Sequence, residues 1–433
     1  MPEDFEEVAR HAGRAIRNEA TEADARLEEP VQNSSRAKKR VAVVLIAAAA
    51  AVAGGFVVIN GGSSHTSTPR IATNGSTTTT SVGPTTTQGG FVAVPGQARP
   101  FAPLSATFIS TNTGWALGKA CQGSSCPIAL MHTTDGARHW TQVAAPAEKL
   151  SGDAASAGVR FANARDGWIF GRNLWSTHDG GAHWTRVALP GEAAAQSMVL
   201  EAAGQDVVAV TISDHVTLWS SPVDHDDWRA SNVSVNIGAG PIPEAQLAAN
   251  GSQAWMLLVN RTLVDAARFV NGQWEHWAAP TNANLGGHNL IAARTASDIY
   301  VLGDNAFGQW PGTASVKLFT SHDGGSTFDN GVVVADVFNA DAFATSIPIT
   351  FVIAGSGAQN GLFLVFAHNG GTSATSNYVG LPSGISSVSQ LGFTTGAQGF
   401  LIGTGSSVIM QMSYDGGATW HTVRFPQALV VTK

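Results

Sequence analysis

The sequence predicts an all-β protein, a β-propeller of four-stranded blades preceded by a short helix and one transmembrane helix. Three observations predict this class: a recurring turn motif, a recurring apolar strand marker, and a composition poor in charge. Charged residues make up 13% of the 433 residues, whereas a typical soluble domain has about a quarter. An apolar fraction of 44% with 48 glycines argues against a disordered chain or a coiled coil, and the net charge of −7 predicts no nucleic-acid partner.

The membrane helix is predicted over residues 41–60, which contain no charged side chain. At about 1.5 Å per residue this stretch would cross about 30 Å, the thickness of the hydrocarbon core. Four basic residues lie in 36–40. The positive-inside rule therefore predicts a cytoplasmic N-terminus and an extracytoplasmic remainder at the cell membrane. A cleaved signal peptide is the alternative, because residues 51–53 resemble a cleavage site.

The rest of the chain divides by composition. Residues 1–40 form the predicted cytoplasmic segment, with an amphipathic helix over 3–27 that either frays in solvent or binds a partner. Residues 61–98 are rich in Thr, Ser and Gly and are expected to form an extended stalk. Residues 99–433 are expected to form the propeller.

A turn motif occurs four times in this last segment. Each copy has a hydroxyl residue, an Asp two positions later, a Gly, and an aromatic residue five positions after the Asp. Glycine permits a positive φ and the carboxylate can accept backbone N–H groups, so the motif predicts a hairpin turn. We expect the aromatic residue to begin the next strand and to pack in the core. The Asp and aromatic residues are Asp135 and Trp140, Asp179 and Trp184, Asp323 and Phe328, and Asp415 and Trp420.

A second marker accompanies the turn: a small residue, an aromatic residue and a short apolar strand that often ends in Gly. Its spacing averages about 47 residues between Trp115 and Phe400. A four-stranded unit with this period indicates a β-propeller. Seven markers predict seven blades, with six or eight as the alternatives. The markers begin at Gly114, Gly167, Asp206, Ala254, Ile299, Gly361 and Gly399.

Three blocks contain only remnants of the turn motif, at Ser221–Trp228, Phe269–Trp274 and His368–Gly371. The polar run Asp224–Asp227 in the first remnant could hold part of a metal site, but adjacent strand residues face opposite ways. We interpret it as a degenerate hairpin turn. The histidines at the turns are interpreted as caps or aromatic fillers, and neither a metal nor a cofactor is predicted.

The four motifs resemble the Asp-box, or BNR, repeat of sialidases, Ser/Thr-x-Asp-x-Gly-x-x-Trp, over about residues 105–426. They resemble equally the Asp-box propellers of photosystem assembly and stability factors. The resemblance implies that each box lies in the turn between the third and fourth strands of a blade, away from any active site. It therefore implies that the four box aspartates are structural.

A sialidase would need three arginines that clamp a carboxylate, a Tyr nucleophile with a Glu partner, and an acid/base Asp. The family's Arg-Ile-Pro signature is absent, and Arg99 is a poor substitute for its arginine. Tyr378 is the one tyrosine of this segment outside a box and outside a core strand position. Arg99 and Tyr378 are therefore weak candidates if the protein is an enzyme.

Cys121 and Cys126 are the only cysteines of the chain. In an extracytoplasmic domain they are expected to form a local disulfide, with two free thiols as the alternative.

The sequence thus favours a membrane-anchored, non-catalytic binding or scaffold module. Its ligand would be a protein or a glycan, bound at the top face opposite the boxes. An exported glycoside hydrolase of the exo-sialidase type is the alternative. Cell-envelope sensing, with residues 1–40 reporting inward, is a third hypothesis.

Overall fold

The computed structural model describes most of the segment that follows the predicted stalk. The described residues are 100–121, 126–147, 157–191, 195–238, 240–260, 262–280, 289–304, 316–334, 337–346, 350–357, 360–367 and 373–426. Chain contacts divide the molecule into Met1–Ala50 and Ala51–Lys433, and every described residue belongs to the second unit. The predicted cytoplasmic segment, membrane helix and stalk lie outside the described residues. Within the described ranges no helix is long and apolar enough to cross a bilayer.

Strands follow one another along the described residues in groups of four. The first four groups are β1 (Phe101–Phe108), β2 (Gly114–Ala120), β3 (Ile128–Thr133), β4 (Thr141–Val143), β5 (Gly158–Phe161), β6 (Gly167–Phe170), β7 (Leu174–Thr177), β8 (Thr185–Val187), β9 (Ser197–Ala203), β10 (Asp206–Ile212), β11 (Val216–Pro222), β12 (Arg229–Ala230), β13 (Glu244–Asn250), β14 (Gln253–Asn260), β15 (Thr262–Val270) and β16 (Gln273–His276). The remaining strands are β17 (Asn289–Ala293), β18 (Ile299–Asp304), β19 (Val316–Ser321), β20 (Val332–Val334), β21 (Val337–Ser346), β22 (Thr350–Gly357), β23 (Asn360–Ala367), β24 (Ser373–Tyr378), β25 (Ile385–Phe393), β26 (Gly399–Gly405), β27 (Val408–Ser413) and β28 (His421–Thr422).

The sheets are antiparallel and follow chain order within each group. Five groups form separate four-stranded sheets. The other two, β17–β20 and β21–β24, form one eight-stranded sheet because β20 and β24 pair in parallel at Val333 with Ser373 and Val334 with Ala374. The architecture is all-β and propeller-like. We number the groups 1 to 7 in chain order.

The first strand of each group is its inner strand. Each inner strand contacts the inner strand of the next group, from β1 through β5, β9, β13, β17 and β21 to β25. Group 7 returns to group 1 through the Gln390 side chain, which accepts from Ala106 N (2.9 Å) and donates to Ala106 O (3.1 Å). No strand is exchanged between the ends of the described chain. After β28, the Phe425 ring instead packs on Phe101, with 4.4 Å between ring centroids.

Second strands are apolar on both faces because each sheet packs against a neighbour on each side. In β2 every residue except Lys119 is buried. The Trp115 ring, 1% exposed, stacks on Phe161 of group 2 with a centroid distance of 3.8 Å. The core is therefore a series of clusters between neighbouring groups, with Met131 and Met412 meeting at the junction of groups 1 and 7.

Strand direction defines two faces of this arrangement. Because the strands are antiparallel, the connections from first to second and from third to fourth strands lie at one end, which we call the box face. The connections from second to third strands, and from each fourth strand to the next group, lie at the other end, the open face. The two differ in regularity. The four box turns repeat closely, whereas open-face connections range from the single residue after β14 to the fourteen after β4.

Six of the seven predicted strand markers occupy second strands, namely β2, β6, β10, β14, β18 and β26. The marker at Gly361 is also a strand, but it has a different place in its group. It lies in β23, the third strand of group 6, and the second strand is β22. Group 6 has no complete box to fix the position of its third strand, so the apolar run alone could not distinguish the two.

Candidate functional site

The four Asp-boxes lie on the box face, each between the third and fourth strands of its group. In the box of group 2, Asp179 Oδ1 accepts from Thr177 Oγ1 (2.9 Å) and from His183 N (2.9 Å). Thr177 Oγ1 accepts in turn from Gly181 N (2.9 Å). The hydroxyl and the carboxylate thus bind the backbone of one tight turn from both sides.

The other three boxes repeat this geometry closely. The corresponding distances to Oδ1, hydroxyl first and backbone N second, are 2.9 and 2.9 Å at Asp135, 2.8 and 2.8 Å at Asp323, and 2.9 and 2.8 Å at Asp415. At Asp323, hydrogen bonds from the Thr327 side chain and backbone lower the carboxyl pKa to about 2. At Asp135, the backbone and side chain of His139 do the same, again to about 2.

Each box is also joined to the neighbouring turn of its own group. The Gly after the box Asp donates its N–H to a carbonyl in the connection between first and second strands. Gly180, with φ of 77°, donates to Arg165 O at 2.8 Å, and Gly136 donates to Asn112 O at 2.9 Å. An L residue is strained at this φ, which explains the invariant glycine of the motif within this chain. The carboxylates are therefore engaged by their own loops.

The box aromatics differ in part from the prediction. Trp140 is buried, whereas Trp184, Phe328 and Trp420 are only half-buried. None begins a strand: β4, β8 and β28 start one residue later, and β20 starts at Val332. The aromatic side chain covers the edge of the core instead. Trp184 shows this position, since its Nε1 donates to Ala144 O of group 1 at 3.0 Å.

The remnant at Ser221–Trp228 has a role that the sequence did not reveal. Asp226 Oδ2 accepts from Ser176 Oγ of group 2 at 2.6 Å, and Asp226 Oδ1 accepts from Trp228 Nε1 at 3.1 Å. The irregular turn thereby places a carboxylate across the boundary between groups 2 and 3. Among the described residues no cluster of three or more His, Cys, Asp or Glu side chains is arranged to hold a metal ion.

Box-face histidines pair with aspartates. His139 and His183 each hold their own box Asp through Nδ1 at 2.6 Å, and His178 Nδ1 lies 2.9 Å from Asp166 Oδ1. His132 differs, because it stacks on Trp115 and burial lowers its pKa. These side chains act as turn caps or as aromatic packing in the geometry of this face.

A disulfide joins Cys121 and Cys126 at the open face, in the hairpin between β2 and β3, with a Cα separation of 4.0 Å. The backbone hydrogen bond from Ala120 N to Pro127 O, 2.9 Å, closes the same hairpin.

Of the two weak catalytic candidates, the structure describes only Tyr378. Arg99 lies outside the described residues. Tyr378 ends β24, the fourth strand of group 6, and its half-exposed ring packs edge-on against Phe363 at 5.4 Å. On the described inner strands the only arginine is Arg160, whose Nε lies 2.7 Å from Glu201 Oε1. Burial raises the pKa of Glu201 although Arg160 opposes the shift. No three-arginine clamp forms on the inner strands that the structure describes.

The inner wall has an irregular sector. The inner strands of groups 1, 6 and 7 contain five register shifts against their second strands, whereas β5, β9, β13 and β17 pair regularly. The extra residues include Leu104, Asp341, Ser386 and Ser389. β-Bulges of this kind re-aim side chains and occur often beside functional sites.

Two of the glycines that end a strand marker lie beside these bulges, whereas Gly303 ends a marker opposite the regular strand β17. Gly118 and Gly403 stand on second strands beside the bulges at Leu104 and Ser389. A Cβ on Gly118 would lie 2.6 Å from Ala102 O, and one on Gly403 would lie 2.8 Å from Ser387 O. The bulge brings an inner-strand carbonyl onto the glycine, so only glycine fits there.

Comparison with known proteins gives one family match. Residues 98–255, rather more than a third of the chain, match the family described as photosynthesis system II assembly factor YCF48. The match and the fold together support a BNR, YCF48-like β-propeller. No curated protein sequence matches the chain.

Similar solved structures have low sequence identity. A YCF48 bound to a D1 peptide is 16% identical with a TM-score of 0.49, covering 75% of this chain and 96% of that one. YCF48 from Cyanidioschyzon merolae is 14% identical with a TM-score of 0.49, covering 76% and 99%. The GH74 xyloglucanase from Xanthomonas campestris is 12% identical with a TM-score of 0.41, covering 77% and 68%. Such values establish no shared activity.

Proposed function

We propose that this protein is a non-catalytic binding or scaffold module, a seven-bladed propeller that binds a partner at its open face. The match of residues 98–255 to an assembly-factor family is the observation that carries the proposal. The seven blades correspond to the seven groups of four strands, with the eight-stranded sheet counted as two blades joined at their outer edges. In this proposal the protein is anchored in the cell membrane by residues 41–60 and the propeller is extracytoplasmic.

The different structural features of the box face and the open face support the proposal. On the box face, the carboxylates of the four boxes are hydrogen-bonded within their own turns, as at Asp179 and Asp415. We therefore propose that the box aspartates and aromatics are structural. The open face has the longer and more variable connections, the disulfide hairpin, and exposed apolar side chains at Ile242 and Tyr378. Exposed apolar groups on variable loops are typical of binding surfaces.

A turnover assay tests the non-catalytic part of the proposal. The full chain, purified in mild detergent because of its apolar segment 41–60, is incubated with a fluorogenic sialoside over a range of pH. We expect no release of the fluorophore above that of a buffer blank. Turnover that is lost in Tyr378→Phe would contradict the proposal and establish the exo-sialidase alternative.

A further inference from the structure

The bulged sector of the inner wall gives the proposed binding function a chemical preference. Inner-strand residues that are exposed meet the solvent of the space these strands surround. Asp341, Ser386 and Ser389 are exposed, and Leu104 is half-buried. The inner strands of groups 6 and 7 contact each other, and Gln390, next to Ser389, bonds the backbone of Ala106 in group 1. The bulged residues thus share one continuous sector.

Two of the bulges are equivalent in neighbouring groups. Asp341 and Ser389 each stand fifth in their strand, opposite the peptide step between a second-strand glycine, Gly355 or Gly403, and the residue before that glycine. Leu104 stands opposite the same kind of step, between Leu117 and Gly118. The chain therefore repeats one local distortion in successive groups, with a different side chain each time: an aliphatic one, a carboxylate and a hydroxyl.

The polar groups of this sector are acceptors. Ser386 Oγ donates its proton to Thr404 O at 2.9 Å, and Ser389 Oγ donates to Ile402 O at 3.2 Å. Each hydroxyl oxygen then retains lone pairs that accept hydrogen bonds. The Asp341 carboxylate is acceptor-only when ionised. A ligand with several N–H donors complements this set, and a cation complements its charge.

The charge of the inner wall agrees with this preference. The described inner strands carry one cationic side chain, Arg160, against the carboxylates of Glu201, Glu244 and Asp341. Arg160 stands on β5, which contacts the bulged strand β1, and it is engaged by Glu201 of group 3. Leu104 adds an aliphatic surface on which the methylene groups of a lysine or arginine can pack.

We infer that the sector formed by Leu104, Asp341, Ser386 and Ser389 binds a lysine or arginine side chain presented by a basic segment of a partner protein. This inference rests on the proposed binding function and specifies its ligand. Asp341 supplies the charge-assisted hydrogen bond, the two serine oxygens supply further acceptors, and the bulges hold all three side chains toward solvent.

Fluorescence polarisation tests the inference with the full chain in mild detergent at roughly physiological salt, where distant charges are screened. The probes are two labelled Gly-Ser peptides of about 12 residues, one with three arginines and one with three glutamates. We expect binding of the arginine peptide only. Asp341→Asn should weaken it by about tenfold, the usual effect of losing one charge-assisted hydrogen bond. Asp341→Glu should retain most of the affinity.

Glu244→Gln is the matched control, because it removes an exposed carboxylate from the regular inner strand β13. It should change the affinity by less than about twofold. An equal loss in Glu244→Gln and Asp341→Asn would overturn the inference, because the attraction would then be diffuse. Absence of binding to the arginine peptide would overturn it as well. The double variant Ser386→Ala, Ser389→Ala should weaken binding about threefold, and unchanged binding there and in Asp341→Asn would refute the assigned sector.

Different experimental results would contradict the proposed function and the inference. Turnover of the sialoside contradicts the proposed function whatever the peptides do. An assay with no turnover, together with a peptide affinity that is the same in Asp341→Asn and the wild type, leaves the binding module standing and removes its basic-segment site.

Discussion

Removing one box carboxylate should cost stability and nothing else. In Asp415→Ala three hydrogen bonds disappear: those from Ser413 Oγ (2.9 Å), Thr419 N (2.8 Å) and Thr419 Oγ1 (2.6 Å). A buried hydrogen bond contributes about 1 kcal/mol net, and the box is partly exposed, so we expect a loss of about 2 kcal/mol in the free energy of unfolding. At about 2 °C per kcal/mol for a large domain, the Tm should fall by about 4 °C.

The assay is thermal unfolding followed by circular dichroism, with urea unfolding as a second measure. Asp214→Ala is the control. Its carboxylate is exposed in the open-face hairpin of group 3 and pairs with His215, so its removal should change stability by less than about 0.5 kcal/mol. The reasoning is refuted if Asp415→Ala matches Asp214→Ala in stability, or if it abolishes binding of a partner while the Tm stays at the wild-type value.

Three further predictions follow from the same contacts. Hydrogen bonds lower the pKa of Asp323 to about 2, so the stability that its ionised carboxylate contributes is complete above the ordinary carboxyl pKa near 3.8 and is lost as the pH falls toward 2. The Tm of Asp323→Asn should therefore fall less than the Tm of the wild type between pH 5 and 2. Parallel curves of Tm against pH would contradict this. Gly118→Ala should lower the Tm markedly, because its Cβ would meet the Phe101 ring and a carbonyl oxygen 2.6 Å away. Gly191→Ala, with open space around it but a φ of 78°, should cost only about 1 kcal/mol in the free energy of unfolding. Equal effects in the two variants would show that the close contact beside the bulge does not require glycine. Phe425→Ala removes a half-buried ring from the junction of groups 1 and 7 and should cost about 2 kcal/mol, measured by urea unfolding; no loss would mean that the junction closes without it.

The box turns were predictable because all their determinants lie within a few residues. Thr177, Asp179 and Gly181 hydrogen-bond within one turn, so the motif itself defines the geometry. Its place between third and fourth strands, which the resemblance implied, agrees with the structure. The strand markers were predictable as apolar strands for the same reason, with or without a complete box after them: they occupy second strands in groups 3 and 4, which have only remnants of the box, and the third strand in group 6.

The remaining features of the structure depend on which strands become neighbours in space, and no local sequence pattern predicts those neighbours. Gln390 bonds Ala106 across a sequence separation of 284 residues, and Asp226 reaches Ser176 across 50. The parallel pairing of β20 with β24 joins two groups that the period alone would separate. The bulged sector belongs to the same class, because a glycine that ends a strand marker lies beside a bulge at Gly118 and Gly403 but opposite a regular strand at Gly303.

Photo-cross-linking from the two faces tests the binding function most directly. A photoreactive amino acid replaces Ile242, which is 53% exposed on the open face, or His139, which is exposed on the box face, in the full chain expressed in its own cells. The proposal predicts a discrete protein adduct from position 242 that is absent from position 139. Adducts from position 139 alone would contradict it, because the box face would then be the surface that binds.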